Sequence, residues 1–392
     1  MARVSNRIKT FTDSVIRRMT RVSCKYNAVN LSQGFPDWDP PEALTARLAE
    51  VAAQGPHQYS ITWGAQNFRE ALAKKQTHFT GLPIDPNTEI VTTCGGTEAM
   101  MTAVMSVTDP GDKIIVFSPF YENYGADAIL CGAEPIYVSL KPPTYTFDLD
   151  ELERAFQQHP KALILCNPSN PCGKVFTRTE LQGIADLAEK YDTWVITDEV
   201  YEHIVYEPYE NIYFAALPHM RARTIACGSL SKTYSITGWR LGYVIARPEV
   251  IAVARKVHDF LTVGAASPLQ EAAVTALRFD DSYYDWLQTH YTKKRDLFLK
   301  GLSDIGLPHT EPQGAYYVMV DISAFGFARD EEFCETLVEK VGVGAVPGSA
   351  FFHETNNDYM RLHFAKNDIT LNEALTRLAA IYKKMPMHRK RS

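Results

Sequence analysis

The sequence predicts a two-lobed α/β protein. A large lobe is built on a mostly parallel seven-stranded sheet sandwiched by helices, and a smaller lobe is α+β. Three observations carry this. The chain has 392 residues, too many for one small core. From about Glu89 onward, short apolar runs alternate with helical patterns, the rhythm of parallel strands joined by covering helices. After about Asp281 that rhythm stops, and helical patterns flank isolated apolar runs. The expected boundaries are 1–40 for an N-terminal arm that also joins the small lobe, 41–282 for the large lobe and 283–392 for the small lobe.

Taken in order, the first forty or so residues begin helical and end in Asn30-Leu31-Ser32-Gln33-Gly34-Phe35-Pro36-Asp37. They belong with the smaller lobe or lie across a subunit interface. Strands are predicted at Glu89–Cys94, Lys113–Ser118, Glu134–Ser139, Ala162–Cys166, Thr193–Thr197, Thr224–Cys227 and Leu241–Ala246. Helices are predicted at Thr97–Val107, Tyr121–Cys131, Asp148–Gln157 and Arg178–Tyr191, the last opened by a Thr177/Glu180 capping box. In the small lobe the patterns predict a helix over Tyr283–Leu302 that stops at Gly306-Leu307-Pro308. Strands follow near Ala315–Val320 and Val341–Val346, with helices near Asp330–Lys340 and Asn372–Lys383.

Composition narrows the function class. Hydrophobic residues at 45% and charged residues at 22% are ordinary for a globular chain, and a net charge of −6 argues against nucleic-acid binding. The basic His388-Arg389-Lys390-Arg391 reads as a solvated tail. Seven cysteines, an odd number without a C-x-x-C pair, are expected as free thiols in a reducing cytoplasm. No Cys/His cluster suggests a metal, so none is expected. Arg3, Arg7, Lys9, Arg17, Arg18 and Arg21 come without an apolar stretch, so no secretory signal is expected. No apolar run is long enough for a membrane span.

The chemistry concentrates at Ser229-Leu230-Ser231-Lys232, with Gly238-Trp239-Arg240 a short way downstream. A lysine among small hydroxyls, with an arginine nearby, can form an imine with a carbonyl cofactor whose phosphate the neighbours hold. Pyridoxal phosphate chemistry requires this layout. Three other loops also follow predicted strands: Gly95-Gly96-Thr97, Asn167-Pro168-Ser169-Asn170-Pro171 and Asp198-Glu199-Val200-Tyr201. Open parallel sheets bind ligands beyond the carboxyl ends of their strands. Gly96 and Thr97 at a helix N-terminus suit a phosphate, and Ser229 and Arg240 complete an anion site. Asp198 is costly as an isolated buried carboxylate, and a pyridinium N–H would offset that cost; a helix cap or salt bridge would also account for it. Trp38, Tyr59, Trp63 and Tyr121 could line an aromatic-friendly pocket, but such aromatics more often serve simple packing.

In order along the chain, Asn167-Pro168-x-Asn170-Pro171-x-Gly173, Asp198-x-x-Tyr201, Ser229-x-Ser231-Lys232, Gly238-Trp239-Arg240-x-Gly242 and Arg361 resemble the signature of fold-type-I, class I/II pyridoxal-phosphate aminotransferases. Leu31 through Asp37 and Gln58-Tyr59 are similar to the kynurenine, glutamine and methionine branch, with features shared by broad-range aspartate and aromatic enzymes. The resemblance implies an aspartate-aminotransferase-like fold whose large lobe binds the cofactor. It implies that Lys232 carries the cofactor as a Schiff base, that Asp198 faces the pyridine nitrogen, and that Tyr201 and Asn170 face the phenolic oxygen. Tyr121 would stack on the ring. Gly96, Thr97, Ser229 and Arg240 would hold the phosphate, joined by Tyr59 from a neighbouring subunit. Arg361 would grip the substrate α-carboxylate, helped by the backbone N–H of Gly34, with Asn170 alongside. A homodimer with shared active sites is implied, acting on an L-amino acid and a 2-oxo acid, 2-oxoglutarate foremost. One segment departs from the kynurenine pattern: Val263-Gly264-Ala265-Ala266-Ser267 ahead of Pro268-Leu269-Gln270 is all small, which predicts a roomier or differently shaped side-chain pocket and counts against a kynurenine assignment.

Three other readings share parts of these observations. A cysteine-conjugate C–S β-lyase uses the same residues with a different product. A non-enzymatic pyridoxal-phosphate-binding regulator needs a DNA-binding extension, which the chain does not display. A Rossmann nucleotide enzyme needs G-x-G-x-x-G after its first strand, which is missing.

Overall fold

A computed structural model describes residues 5–6, 8–9, 11 and 13–385. The basic tail at 388–391 and the arginines at 3 and 7 lie outside the described residues. Within them the strands are β1 (Val29–Asn30), β2 (Ile90–Thr93), β3 (Lys113–Ser118), β4 (Glu134–Ser139), β5 (Ala162–Cys166), β6 (Trp194–Asp198), β7 (Thr224–Ser229), β8 (Gly242–Ile245), β9 (Tyr317–Asp321), β10 (Val343–Gly344), β11 (Val346–Pro347) and β12 (Tyr359–His363).

The central sheet has seven strands in the order β2-β8-β7-β6-β5-β3-β4. β8 runs antiparallel to both β2 and β7, and the remaining pairings are parallel. The sheet is therefore mostly parallel, as expected. Every residue of β5 is buried, which is why a strand covered on both faces reads as an unbroken apolar run. Because only β8 is reversed within this sheet, β2, β3, β5, β6 and β7 all end at the same edge. Register ties those ends together: Cys166 pairs with Asp198, Asp198 with Cys227, and both Ser229 and Thr93 with Gly242.

The covering helices start where local chemistry directs. The Thr177 hydroxyl accepts from the Glu180 N–H while the Glu180 carboxylate accepts from the Thr177 N–H, the reciprocal cap that opens Arg178–Lys190. Asp148 caps Leu149–Phe156 by accepting from the N–H groups of Asp150 and Glu151. The helix near Tyr121 starts later than the sequence predicts, at Asn123. Tyr121 therefore sits in the preceding loop.

The second sheet has the order β11-β12-β9, all antiparallel, and β1 pairs with β10 in a separate parallel ladder. Met19 and Leu31 share a buried core with Phe298, Phe333, Leu362 and Leu378, so the N-terminal residues pack with the C-terminal ones. The single strand predicted near Val341–Val346 is two short strands in two sheets. It changes partner at Ala345, with β10 joined to β1 and β11 to β12. The last predicted helix is likewise divided. Asp368–Leu378 begins where the Asn367 side chain accepts from the Thr370 N–H, and Ile381–Lys384 follows a break. Among the described residues no helix is long and apolar enough to cross a membrane. Nor, among the described residues, is any cluster of His, Cys, Asp and Glu placed to hold a metal ion.

Candidate active site

A cavity of about 320 Å³ opens where the carboxyl edge of the central sheet meets β9, β12 and the N-terminal helix Val15–Lys25. Gly34, Gly96, Thr97, Tyr121, Asn170, Asp198, Tyr201, Ser229, Lys232, Arg240 and Arg361 all line it. Of the predicted site residues, only Tyr59 is elsewhere, with its side chain 85% exposed. Trp38 and Trp63 pack away from the cavity.

Lys232 sits just past β7 and donates from Nζ to the Gly34 carbonyl at 3.2 Å. Burial, then the positive charges of Arg240 and Arg361, push its pKa down to about 8, with Asp198 acting the other way. The amine is thus a far better nucleophile and base near neutrality than an exposed lysine. Asp198 ends β6 and is buried. It accepts from the Tyr124 hydroxyl at 2.6 Å and the Val200 N–H at 3.2 Å. Burial still raises its pKa, so its charged form calls for a further cationic partner.

An anion cradle lies beside the lysine. Gly96 begins the helix Gly96–Val107, and Gly96 and Thr97 line the cavity at that helix N-terminus, where backbone N–H groups suit an anion. Gly95 holds φ at +89°, and a Cβ there would stand 2.5 Å from Arg240 Nη2. Only glycine lets the guanidinium lie against that turn. Arg240 donates to the carbonyls of Thr237 and Cys94, at 3.1 and 3.5 Å, and forms no ion pair among the described residues. The Ser229 hydroxyl donates to the Leu241 carbonyl and accepts from the Ser231 N–H. The Ser231 hydroxyl is buried without a partner.

Arg361 comes from the other side, on β12, and is 1% exposed. Its guanidinium donates to Asn170 Oδ1 at 2.7 Å and to the Ser32 carbonyl at 2.9 Å. It lies over the rings of Tyr317 at 4.2 Å and Phe351 at 4.5 Å. Its Nε has no partner, and no carboxylate among the described residues pairs with it. A buried guanidinium held by neutral groups is the complement of an arriving carboxylate.

The family model for aminotransferase class I and II matches residues 26–378. The chain belongs to the class I and II aminotransferases. This aminotransferase is 35% identical over 366 residues to the methionine aminotransferase of Escherichia coli, covering 93% of this chain and 95% of that one. It is 34% identical over 401 residues to the kynurenine–oxoglutarate transaminase 3 of Rattus norvegicus, covering 94% and 88%. The solved structure of the N-succinyldiaminopimelate aminotransferase of Mycobacterium tuberculosis superposes with a TM-score of 0.93 at 35% identity, over 97% of this chain and all of the other.

The cofactor of this family is pyridoxal phosphate, and the cavity of this aminotransferase fits it on observations independent of the family. The Ser231 hydroxyl and the Arg240 guanidinium are donors without an anion, Asp198 is a buried acid short of a cation, and Lys232 is a depressed amine between them.

Sequence reasoning missed Tyr124 and Tyr317, and took Ser231 only as one of the small hydroxyls around Lys232. Tyr124 lies three residues beyond Tyr121 and reaches Asp198. Tyr317 lies in an apolar run, where an aromatic residue carries no local sign of a polar task. The segment Val263–Gln270 does not line the cavity at all. Gln270 instead braces the loop after Tyr59: its amide accepts from the Ala65 N–H at 2.8 Å and donates to the Ser60 hydroxyl at 3.1 Å. Within one copy, those polar contacts turn the segment toward that loop.

Proposed function

We propose that this aminotransferase uses 2-oxoglutarate as the acceptor for the amino group of an L-amino acid, with Lys232, Asp198 and Tyr201 as its catalytic residues. The observation that carries the reading is one cavity holding a depressed lysine amine and, opposite it, a buried arginine with no carboxylate partner. The acceptor is supported by Arg17, which lines the same cavity and forms no ion pair among the described residues. The distal carboxylate of 2-oxoglutarate is its natural complement. Glu122, also in the wall, is engaged by the Ser14 hydroxyl at 2.6 Å.

In this reading Gly96, Thr97, Ser229, Ser231 and Arg240 hold the phosphate, and Tyr121 covers the ring face. Bound there, pyridoxal phosphate supplies an aldehyde that amines attack and a ring that draws electrons from the substrate Cα–H bond. Asp198 keeps a proton on the ring nitrogen, and Tyr124 holds that carboxylate in place. Tyr201 and Asn170 donate to the ring oxygen. Arg361 takes the substrate carboxylate as a planar fork, with the Gly34 N–H beside it, which orients the Cα–H bond. Lys232 Nζ would hold the cofactor's aldehyde carbon and, as a free amine, would take the substrate Cα proton. A pKa near 8 leaves a useful fraction of that amine unprotonated at neutral pH.

A cytoplasmic homodimer is part of the proposal. Tyr59, Ile61, Phe260, Leu261 and Val263 expose 85, 46, 91, 45 and 51% of their surfaces. A second copy would cover such apolar side chains and would receive Tyr59 at its phosphate site.

Borohydride reduction of the holoenzyme followed by peptide mapping tests the core of this reading. The pyridoxyl tag is expected on Lys232, and Lys232→Ala is expected to bind cofactor but lose turnover. A tag elsewhere, or none, overturns it. A screen of amino acids with 2-oxoglutarate then tests the acceptor by glutamate formation. Pyruvate and ammonia released from a cysteine conjugate without any 2-oxo acid would point to the β-lyase instead.

A further inference from the structure

Tyr317 opens β9, in the three-stranded sheet, yet its side chain lies in the wall of the cavity. Its hydroxyl is 2.9 Å from that of Tyr201, which comes from the loop after β6 in the central sheet. The two rings meet edge to face at 5.8 Å. The other face of the matter is Arg361, whose guanidinium lies 4.2 Å over the Tyr317 ring. Gly34 completes the enclosure, since any side chain there would collide with the Tyr317 hydroxyl. One tyrosine thus touches a residue proposed to hold the cofactor, the residue proposed to hold the substrate carboxylate, and the turn between them.

We infer that Tyr317 is a positioning residue of the reaction: its hydroxyl sets the direction of the Tyr201 proton, and its ring supports the Arg361 guanidinium. The inference rests on the proposed roles of Tyr201 and Arg361. A phenol has one proton to give and two lone pairs. If Tyr201 donated to Tyr317, it would have no proton left for the cofactor's ring oxygen. The cation over the Tyr317 ring draws electron density from it and makes the Tyr317 hydroxyl the better donor of the pair. Tyr317 therefore donates and Tyr201 accepts, which leaves the Tyr201 proton for the cavity. A donor that itself accepts a hydrogen bond is strengthened by it. The ionisable groups facing the pair are Cys166 at the end of β5, Tyr291 of the long helix Asp281–Ile305, Tyr316 beside Tyr317, Tyr121 and Arg361. Tyr201 is held well above the ordinary phenol range, by burial first and then by Tyr316 and Tyr317. It therefore stays a donor across the working pH range.

The test compares wild-type holoenzyme with Tyr317→Phe and Tyr317→Leu. Its first readout is the pH midpoint of the bound cofactor's absorption change, and its second is the KM for the amino acid. Tyr317→Phe keeps the ring under Arg361 but removes the hydroxyl. Its midpoint is expected to rise by about 0.5 unit or more, because negative charge on the ring oxygen loses support, while KM stays within about twofold. Tyr317→Leu is expected to show the same midpoint shift and, in addition, a KM raised on the order of tenfold. A Tyr317→Phe midpoint within about 0.1 unit of wild type overturns the inference, whatever happens to KM. A wild-type enzyme that shows no pyridoxyl tag on Lys232 overturns the proposed function itself, and this inference with it. Wild type tagged at Lys232 with an unshifted variant overturns the inference alone.

Discussion

Arg361 on β12 donates to Asn170 Oδ1 at 2.7 Å, across the seam between the three-stranded and the seven-stranded sheets. This contact joins the proposed substrate grip to the loop that follows β5. The carboxylate clamp and a ring-oxygen contact are therefore held by one hydrogen bond between two sheets rather than by a shared loop.

Arg361→Lys tests that arrangement. An ammonium keeps the charge but cannot donate at once to Asn170, to the Ser32 carbonyl and to a bidentate carboxylate. KM for amino-acid substrates is expected to rise by about 10- to 100-fold, with the cofactor spectrum nearly unchanged. Steady-state kinetics checks this, and an unchanged KM for every amino acid removes Arg361 from substrate binding.

Tyr124 gives Asp198 its shortest hydrogen bond, and that bond pulls the Asp198 pKa down against burial. Tyr124→Phe is expected to let the Asp198 pKa rise further and weaken its hold on a ring-nitrogen proton. The rate should fall by about 10-fold or more, and the ring environment should change in the absorption spectrum. Full activity with an unaltered spectrum would show that Val200 N–H and the cofactor alone suffice to keep Asp198 charged.

Asp127 makes the sharpest prediction about stability. It is buried on the helix Asn123–Leu130, and its Oδ2 has no hydrogen-bond partner. Burial, with the Asp198 charge adding to it, raises its pKa to about 8. The folded protein therefore binds a proton there that the unfolded chain releases near the ordinary carboxylate pKa of about 4. Stability from this group is complete below that value and is lost as pH rises toward about 8. Asp127→Asn abolishes the titration. Relative to wild type, the variant should gain on the order of 4 kcal/mol between pH 5 and pH 8.5, since each pH unit between the two pKa values is worth about 1.4 kcal/mol. Thermal unfolding of both holoenzymes at the two pH values measures it. An identical difference in Tm at both would show that Asp127 does not titrate in that window.

β3, β4 and β5 run over the residues that the apolar runs mark, Lys113–Ser118, Glu134–Ser139 and Ala162–Cys166. β3 and β5, buried on both faces, are written locally as apolar runs bounded by turn residues, and the half-buried edge strand β4 is marked by its turn at Gly132 and its apolar residues. The loops carrying Gly96, Asn170, Asp198 and Lys232 were legible for the same reason, since each follows such a run. β12 left no comparable trace. Arg361 interrupts its apolar pattern, and the strand exists because β9 and β11 pair with it on either side. Tyr317 was hidden in the opposite way, as one more aromatic in an apolar segment.

The residue order by itself determined the alternation of strand and helix, the shared edge of the sheet and the chemistry gathered in its loops, because those depend on neighbours a few positions apart. Tertiary structure alone decided that Tyr201 meets Tyr317, that Arg361 is buried without an acid, that Tyr124 holds Asp198 and that Asp127 is sealed from water. Each of these depends on which distant segments pack together and on how much solvent that packing removes, and no local pattern records either.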